Sequence, residues 1–404
     1  MPDRRPIIGL ILAVTATGIM ANTLLSPAIP DVLDDFGVAD SGAGLLIASA
    51  SLPGIVIAPV VGVLADRYGR RRVLVPCLVA FGGFGVAAML APTFPALIAA
   101  RLGMGLGSAG LINLAVVLIG DHWSGADRTR IIGRNAAFLT ICIAVFPLIG
   151  GLLTQLAGWR AALAHYGVAL ATALLAMKVL EPRAPDRSRT IRQQLSGVGA
   201  VARRPEIIVM LTGGAVAFVL IFGVYLSALP LHLEEQFGYD AGVRGVFLAL
   251  PAASSTIVAF NLGNLRARFG GRSLFVLCAL LFAAGFALVG AATTALILVI
   301  GGLVYGAGEG VLIPGVQDRV TELAPAEHRA ALISVWVGAA RLGQTAGPLG
   351  AALLLTTAST TAVLFVGAVL SIALAAVFRF GPYDARHAPA TCDRRGQTSR
   401  VTDV

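Results

Sequence analysis

Charged residues are scarce in this 404-residue chain, at 13% of the total against about 25% in an ordinary soluble domain. Hydrophobic residues make up 57%, and the mean hydropathy is +0.86. Polar side chains are too few to cover the surface of even two water-soluble domains. The composition therefore excludes a soluble globular protein and predicts a chain that folds in lipid.

Cysteine is also scarce: three of the four residues lie in apolar runs and one lies in the polar C-terminal tail, namely Cys77, Cys142, Cys278 and Cys392. No two of them have the spacing of metal ligands, so neither a disulfide framework nor a metal site is predicted. Lysine occurs once, as Lys178, and the formal net charge of +9 therefore comes from arginine. The arginines are spread over short gaps between apolar runs, which predicts no nucleic-acid partner.

The sequence has no nucleotide-binding loop of the form G-x-x-x-x-G-K-[ST], which argues against an ATP-driven pump. It also has no nucleophile and base at a plausible spacing, so neither an enzyme nor a bound cofactor is predicted. Any uphill movement of a solute would then draw on an ion gradient.

What the sequence does contain is a series of long apolar stretches, each able to cross a bilayer as a helix. Helices are expected because lipid offers no partner for unpaired backbone groups. The predicted fold is an all-α integral membrane protein with twelve transmembrane helices. The predicted cores are 7–29, 42–65, 73–90, 95–119, 131–156, 161–180, 207–231, 245–262, 274–290, 295–316, 330–356 and 362–378.

Arginine is distributed very unevenly between alternate connections. One set of connections and both termini hold nearly all of it, whereas the other set holds only Arg160 and Arg244. Because cytoplasmic loops retain positive charge, both termini are predicted to be cytoplasmic, in a cell (plasma or inner) membrane. The predicted first outer loop is acidic and contains Asp31, Asp34, Asp35 and Asp40.

The second half of the sequence repeats the first at an ungapped shift of 201 residues. Segment 62–69 falls on 263–270 in this register. Other matched positions are Gly37 with Gly238, Gly105 with Gly306, Gly107 with Gly308, Arg128 with Arg329 and Pro147 with Pro348. Six spans separate equivalent points, which predicts two six-helix bundles related by a parallel, pseudo-two-fold repeat.

The repeat also predicts the domain organisation. An N-terminal bundle covers 1–180, a cytoplasmic linker 181–206, a C-terminal bundle 207–380, and a cytoplasmic, disordered tail 381–404. A seam between two such bundles is the physical basis of alternating access, in which a midplane site opens first to one side and then to the other.

Segment 62–72, GVLADRYGRRR, resembles the G-x-L-x-D-R-x-G-R signature of the major facilitator superfamily and lies between the second and third spans. The resemblance covers about residues 7–380 and implies that this loop contributes to gating. The residues it assigns are Gly62, Asp66, Arg67, Gly69, Arg70 and, as the partner carboxylate, Asp121. The alternative is that these loop charges only set topology. The second half has Ala267 in place of Asp66 and Gly271 in place of Arg70.

Two further segments are similar to motifs of this family. Arg101 with Gly105 and Gly107 resembles the R-x-x-x-G motif, and 147–151 resembles the end of a motif associated with antiporters. Arg101 is expected to face a wet cavity or a partner, because a guanidinium group at membrane depth is costly. The remaining motif residues are predicted to allow close helix packing, namely Gly105, Gly107, Pro147, Gly150, Gly151 and Pro348.

In this fold spans 1, 4, 7 and 10 line the cavity, so polar residues near their midpoints are candidates for the substrate and proton pathway. Glu309 is the one carboxylate near the middle of a predicted span, and it could carry a proton as access alternates. Equally, it could form an ion pair with Arg341. The full set is Arg101, Glu309, Arg341, Asn22, Asn113, Tyr225 and Tyr305.

The resemblance implies a secondary transporter similar to the twelve-span drug:proton antiporters, exporting a small organic or drug-like compound. The expected partners are that compound, protons and the lipid bilayer, with no required protein partner and no cofactor besides the proton gradient. Proton-coupled uptake of a metabolite is the main alternative, because the positions before Pro147 that the antiporter motif fills with glycine hold Cys142 and Phe146. A membrane receptor that does not transport is a third.

Overall fold

The computed structural model describes residues 5–181, 201–324 and 329–383, and these ranges are helical throughout apart from short connections, with no strand among them. We give one label to helical segments that follow each other within a run. The first half contains α1 (Arg5–Thr23, Ser26–Ala28 and Ile29–Phe36), α2 (Gly42–Ser51 and Gly54–Tyr68), α3 (Arg70–Met89), α4 (Phe94–Ser108 and Leu111–His122), α5 (Gly125–Ala157) and α6 (Trp159–Ala164, His165–Gly167 and Val168–Val179). The second half contains α7 (Pro205–Val219, Leu220–Ala228 and Leu229–Phe237), α8 (Ala241–Ala249, Pro251–Phe260 and Leu262–Phe269), α9 (Gly271–Gly290), α10 (Ala295–Leu323), α11 (Arg329–Leu355) and α12 (Thr360–Phe380).

Ten helices in the described ranges are long and apolar enough to cross a membrane. Of the two other runs, α2 has a shorter apolar part, Gly42–Ala58, and α11 is not one of the ten. The all-α membrane fold is therefore confirmed, whereas twelve crossings stay a prediction. The predicted domain limits also stay predictions, since most of 181–206 and nearly all of 381–404 lie outside the described residues.

The 201-residue repeat is visible in backbone geometry. Gly37 and Gly238 end matched helices in the left-handed region, with φ of 62° and 64°. Thr93 and Thr294, also 201 residues apart, each cap the next helix by accepting a hydrogen bond from the backbone N–H three residues on, at 3.4 Å in both cases. The same local rules thus start and stop corresponding helices in both halves.

One boundary expectation was wrong. The acidic residues Asp31, Asp34 and Asp35 are not in a loop but on Ile29–Phe36, the last segment of α1, which ends at Gly37. A three-residue 3₁₀ turn, Ser26–Ala28, joins this segment to the apolar part of the helix. The apolar run ends before the helix does, because helical backbone bonds continue into a polar segment without needing apolar side chains.

The two halves meet along a seam formed by α1, α2 and α5 on one side and α7, α8 and α11 on the other. A Cβ atom on Gly44 would overlap the carbonyl oxygen of Pro348, and one on Gly245 would overlap that of Pro147. These two contacts are related by the repeat. They lie toward the side of the helices where the connections are poor in arginine, which we call the arginine-poor face, and they close the seam there.

Candidate functional site

Arg101, on α4, is completely buried inside the first half. Its Nε donates to the carbonyl oxygen of Leu46 at 2.6 Å, and its Nη2 donates to Asn22 Oδ1 at 2.8 Å and to the carbonyl oxygen of Ala21 at 3.3 Å. Of the three guanidinium nitrogens of Arg101, only Nη1 has no hydrogen-bond partner among described residues. Arg101 thus ties α4 to α1 and α2 and does not face a water-filled cavity, which corrects one of the two expectations for it.

Asn22 belongs to the same buried network. Its Nδ2 donates to Ser51 Oγ at 3.0 Å while its Oδ1 accepts from Arg101. The hydroxyl of Tyr166, on α6, donates to the carbonyl oxygen of Ala21 at 2.9 Å. Four helices of the first half are therefore held together by hydrogen bonds to main-chain and side-chain oxygens, as expected for a buried cation with no carboxylate nearby.

In the second half, Tyr225 and Tyr305 stack face to face, with ring centroids 4.6 Å apart and an interplanar angle of 9°. Tyr225 lies in a wide, π-helical segment, Leu220–Ala228, of the kind that often occurs at functional sites. Its hydroxyl donates to the carbonyl oxygen of Leu248, on α8, at 2.8 Å. The buried hydroxyl of Tyr305 has no hydrogen-bond partner among described residues.

The end of this segment also contacts the opposite half. Pro230 has no N–H, so it cannot bond the carbonyl oxygen of Leu226 one turn earlier. That oxygen instead accepts a hydrogen bond from Ser26 Oγ of α1, at 2.7 Å. A proline in α7 thus frees an acceptor for a bond across the seam.

Glu309 lies one turn after Tyr305 on α10 and is half-buried. No hydrogen bond or ion pair joins it to any described residue. The ion pair with Arg341, which was one of two expectations, is not formed in this conformation.

Arg341 lies at the middle of α11, on the seam, and is also half-buried. Its Nη1 donates to Gln344 Oε1 at 3.1 Å, and its Nη2 is 3.5 Å from the carbonyl oxygen of Ala109, in the break of α4. Its Cδ would be 3.3 Å from a Cβ on Gly54 of α2. The guanidinium group therefore reaches across to the first half, with no carboxylate among its described partners.

The remaining candidate of the pathway set, Asn113, is exposed on the second segment of α4, toward the side where the connections are rich in arginine, which we call the arginine-rich face. A cavity of about 400 Å³ lies between the start of α1 and the first half of α5. Its lining is mostly apolar, with Ile8, Ile11 and Phe138 among the lining residues, and also includes Arg134 and Asn135.

The loop signature is described only in part. Asp66 and Gly62 are on the helical segment Gly54–Tyr68, but their side-chain surroundings lie outside what the structure describes. Gly69 has φ of 91° and starts α3. Directly after it, Arg70 Nε donates to Asp121 Oδ2 at 2.8 Å, so these two residues are joined within the first half.

Arg67, the last gating candidate, is exposed on the final turn of the same helical segment, with its guanidinium carbon 5.6 Å from the ring centroid of Tyr68. An exposed cation on a helix C-terminus is electrostatically favourable whatever its role. Its part in gating therefore stays a prediction.

The motif glycines lie at close helix contacts. Cβ atoms on Gly105 and Gly107 would press into α2 and α3, respectively. On α5, a Cβ on Gly150 would overlap the carbonyl oxygen of Leu24, and one on Gly151 that of Ala241. Gly150 and Gly151 thus bring α5 close to both α1 and α8.

Sequence reasoning missed the role of Arg244, which it placed in an outer connection. The residue is on the first segment of α8 and is 1% exposed. Its guanidinium group pairs with Asp31 of the opposite half and lies 3.2 Å from Glu234 of α7. The repeat offered no signal, because the matched position in the first half is Ala43.

Comparison with known proteins places these features in context. The family model "Major Facilitator Superfamily" matches residues 11–265 and 211–398. The chain is 26% identical to the "Multidrug resistance protein Stp" of Mycobacterium tuberculosis (strain CDC 1551 / Oshkosh), covering 80% of this chain and 71% of that protein. It is 27% identical to the "Tetracycline resistance protein, class G" of Vibrio anguillarum, covering 84% and 88%.

A further relative is the "Bacillibactin exporter" of Bacillus subtilis (strain 168), 25% identical over 63% of this chain and 66% of that protein, so the chain spans about two thirds of its length. Among solved structures, a bacterial homolog of the human lysosomal transporter Spinster superposes with a TM-score of 0.79 at 16% identity, covering 94% and 97% of the two chains. A D-xylose-proton symporter gives 0.73 at 16% identity, covering 92% and 96%. These two likenesses concern the fold. Because the family model spans nearly the whole membrane region, the chain belongs to the Major Facilitator Superfamily of membrane transporters.

Proposed function

We propose that this transporter exports a small organic compound in exchange for protons, by alternating access at the seam. The observation that carries the proposal is Glu309, a half-buried carboxyl group on α10 with no ion-pair or hydrogen-bond partner among described residues. An ionisable residue inside a membrane helix is costly and marks a functional pathway. A carboxyl group that is not neutralised by a neighbour is free to exchange a proton for a cargo.

The arrangement of bonds between the halves supports alternating access. The bonds from Ser26 to Leu226 and from Arg244 to Asp31 join the halves near the arginine-poor face. At the opposite face the described ion pairs, such as Arg70 with Asp121 and Arg266 with Asp318, stay within one half. Opening the arginine-poor face therefore requires breaking a small set of polar bonds and glycine contacts.

Gating at the arginine-rich face is part of the proposal. Asp66 and Arg70 would contact the second half only when that face closes, and the Arg70–Asp121 pair would hold the loop in place meanwhile. We further propose that this face is cytoplasmic, with both termini inside and the protein in the inner membrane, because cations are retained there.

Export is favoured over uptake by the relatives, whose names describe an exporter and resistance proteins. The apolar cavity between α1 and α5 favours an amphipathic cargo. Uptake with protons remains the competing function and differs in one measurable quantity, the relative direction of cargo and proton.

The test is transport in liposomes with an imposed pH gradient, using tetracycline as the first candidate compound and following internal pH and compound together. Opposite fluxes support the proposal; fluxes in the same direction establish symport, and no flux with a wider compound library favours a receptor. Glu309→Gln should abolish the proton flux and leave exchange of the compound across the membrane. Glu322→Gln is the matched control, because Glu322 is on the same helix, outside the seam, and is paired with Arg266.

A further inference from the structure

Glu309 and Arg341 are opposite charges on neighbouring helices of the same half, yet they do not neutralise each other. No N···O distance within 4.0 Å joins either to an opposite charge among described residues. The partners of Arg341 are an amide oxygen at 3.1 Å and a main-chain carbonyl at 3.5 Å, and both are neutral.

The other buried arginines are different. Arg101 is fully enclosed and bound by three oxygens of its own half, and Arg244 is paired with Asp31 and lies beside Glu234. Arg341 differs from both. It lies at the middle of a described helix, is only half-buried, and donates its hydrogen bonds to neutral oxygens rather than to an anion. It lies on the seam between the two halves, where its guanidinium group reaches α4 of the first half.

Two separated and uncompensated charges at membrane depth are costly, since desolvation of each is not offset by a partner. A ligand with two complementary charges would offset both at once. Half-buried apolar side chains lie one turn from each charge: Ile313 after Glu309 on α10, and Val337 before Arg341 on α11. These side chains offer an apolar surface for the part of a ligand that joins its two charged groups.

We propose that the cargo is a zwitterionic amphipath, with a cationic group that binds Glu309 and an anionic group that binds Arg341. This inference rests on the proposed function and deepens it. A cationic group on Glu309 competes with a proton for the same carboxylate, which is the condition for exchange. The anionic group on Arg341 then supplies selectivity, because an analogue without it leaves a guanidinium group unpaired.

The test uses four compounds with one skeleton: 2-naphthylalanine, its methyl ester, its N-acetyl derivative and its N-acetyl methyl ester. They are a zwitterion, a cation, an anion and a neutral molecule of similar size. Binding is measured by calorimetry on the full-length protein in detergent without any gradient. We expect the zwitterion to bind at least about tenfold more tightly than the cation or the anion, since a charge-assisted hydrogen bond is lost in each.

Variants assign the two charges. Arg341→Gln should bring the zwitterion and the methyl ester within about threefold of each other, and Arg341→Lys should restore part of the difference. Glu309→Gln should likewise make the affinities for the zwitterion and the N-acetyl derivative similar. Arg160→Gln is the control, because Arg160 is exposed and paired with Asp35 away from the seam; it should leave the ranking unchanged.

If a variant fails to fold, the order in which the wild-type protein binds the four compounds still tests the inference. Tightest binding of the cation, the anion or the neutral compound, or no binding of any of the four at millimolar concentration, overturns the inference. Proton exchange with cargo but without zwitterion preference would end this inference and leave the proposed function standing. Preferred binding of the zwitterion without any proton flux would support this inference and contradict the proposed proton exchange.

Discussion

The carbonyl oxygen of Pro348 occupies the space that a side chain on Gly44 would need, and this contact joins α11 to α2 across the seam. The repeat produces a second copy, in which Pro147 of α5 faces Gly245 of α8. A substituted proline nitrogen cannot donate a hydrogen bond, and glycine removes the Cβ, so the backbones approach more closely than ordinary helices can. Closure of the arginine-poor face depends on both pairs.

Gly44→Ala and Gly245→Ala should therefore each open this face. The added methyl group meets main-chain atoms that cannot move aside, and overpacking of this kind costs about 1 to 3 kcal/mol. Spin labels at Ala39 and Leu296, near the arginine-poor ends of the two halves, should show a longer distance in a cysteine-free background. Gly350→Ala is the control, because nothing lies within 4 Å of a Cβ there; equal distances in all three variants would contradict the prediction.

The ion pair between Arg244 and Asp31 should stabilise the same closed face. Asp31→Asn leaves Arg244 with Glu234 as its remaining acidic neighbour and weakens the bond across the seam by about 1 to 3 kcal/mol. The Ala39–Leu296 label distance should shift toward longer values. Asp35→Asn is matched to it, since Asp35 pairs with Arg160 inside one half; a shift of the same size in that variant would show that the effect is not specific to the seam.

Most of the fold could be predicted from the sequence because its determinants are local. Long apolar runs, alternating arginine content and a repeat of 201 residues predict helices, their order and the similarity of the halves. The end of α1 could not be predicted from hydropathy, because Ile29–Phe36 is helical although acidic. Capping at Thr93 and Thr294 was readable in principle, since threonine before an apolar run is a helix-start signal.

The sequence predicted which residues belong to the candidate site, but not which partners their side chains contact. Sequence identified Arg101, Glu309 and Arg341 as unusual charges at membrane depth. Whether a guanidinium group meets a carboxylate or a carbonyl oxygen depends on the rotation of each helix and on how the halves lie against each other. Those properties do not follow from local sequence patterns, so the partners of Arg341 and the contact of Arg244 with Asp31 required the structure.

The two stacked tyrosines should respond differently to loss of the hydroxyl group. Tyr225→Phe removes a formed hydrogen bond to the Leu248 carbonyl and should lower the free energy of unfolding by about 1 kcal/mol. Tyr305→Phe removes a buried hydroxyl with no described partner and should leave stability unchanged or slightly raised. If the Tyr305 hydroxyl binds the cargo or passes the proton, Tyr305→Phe should slow exchange in liposomes. Thermal unfolding in detergent and transport together separate these effects, and equal destabilisation by both substitutions would refute the assignment.

Arg101 and Arg341 should likewise separate stability from cargo binding. Arg101→Gln leaves the carbonyl oxygens of Leu46 and Ala21 without their charged donor in a dry interior, where each unsatisfied group costs about 1 to 3 kcal/mol. The melting temperature in detergent should fall by several degrees, while folded protein keeps its ranking of the four naphthylalanine compounds. Arg341→Gln should change the ranking with little loss of stability, because its present partners are an amide and one long contact of 3.5 Å. A variant of Arg101 that stays stable but loses discrimination between the zwitterion and its methyl ester would move the anion site from the seam into the first half.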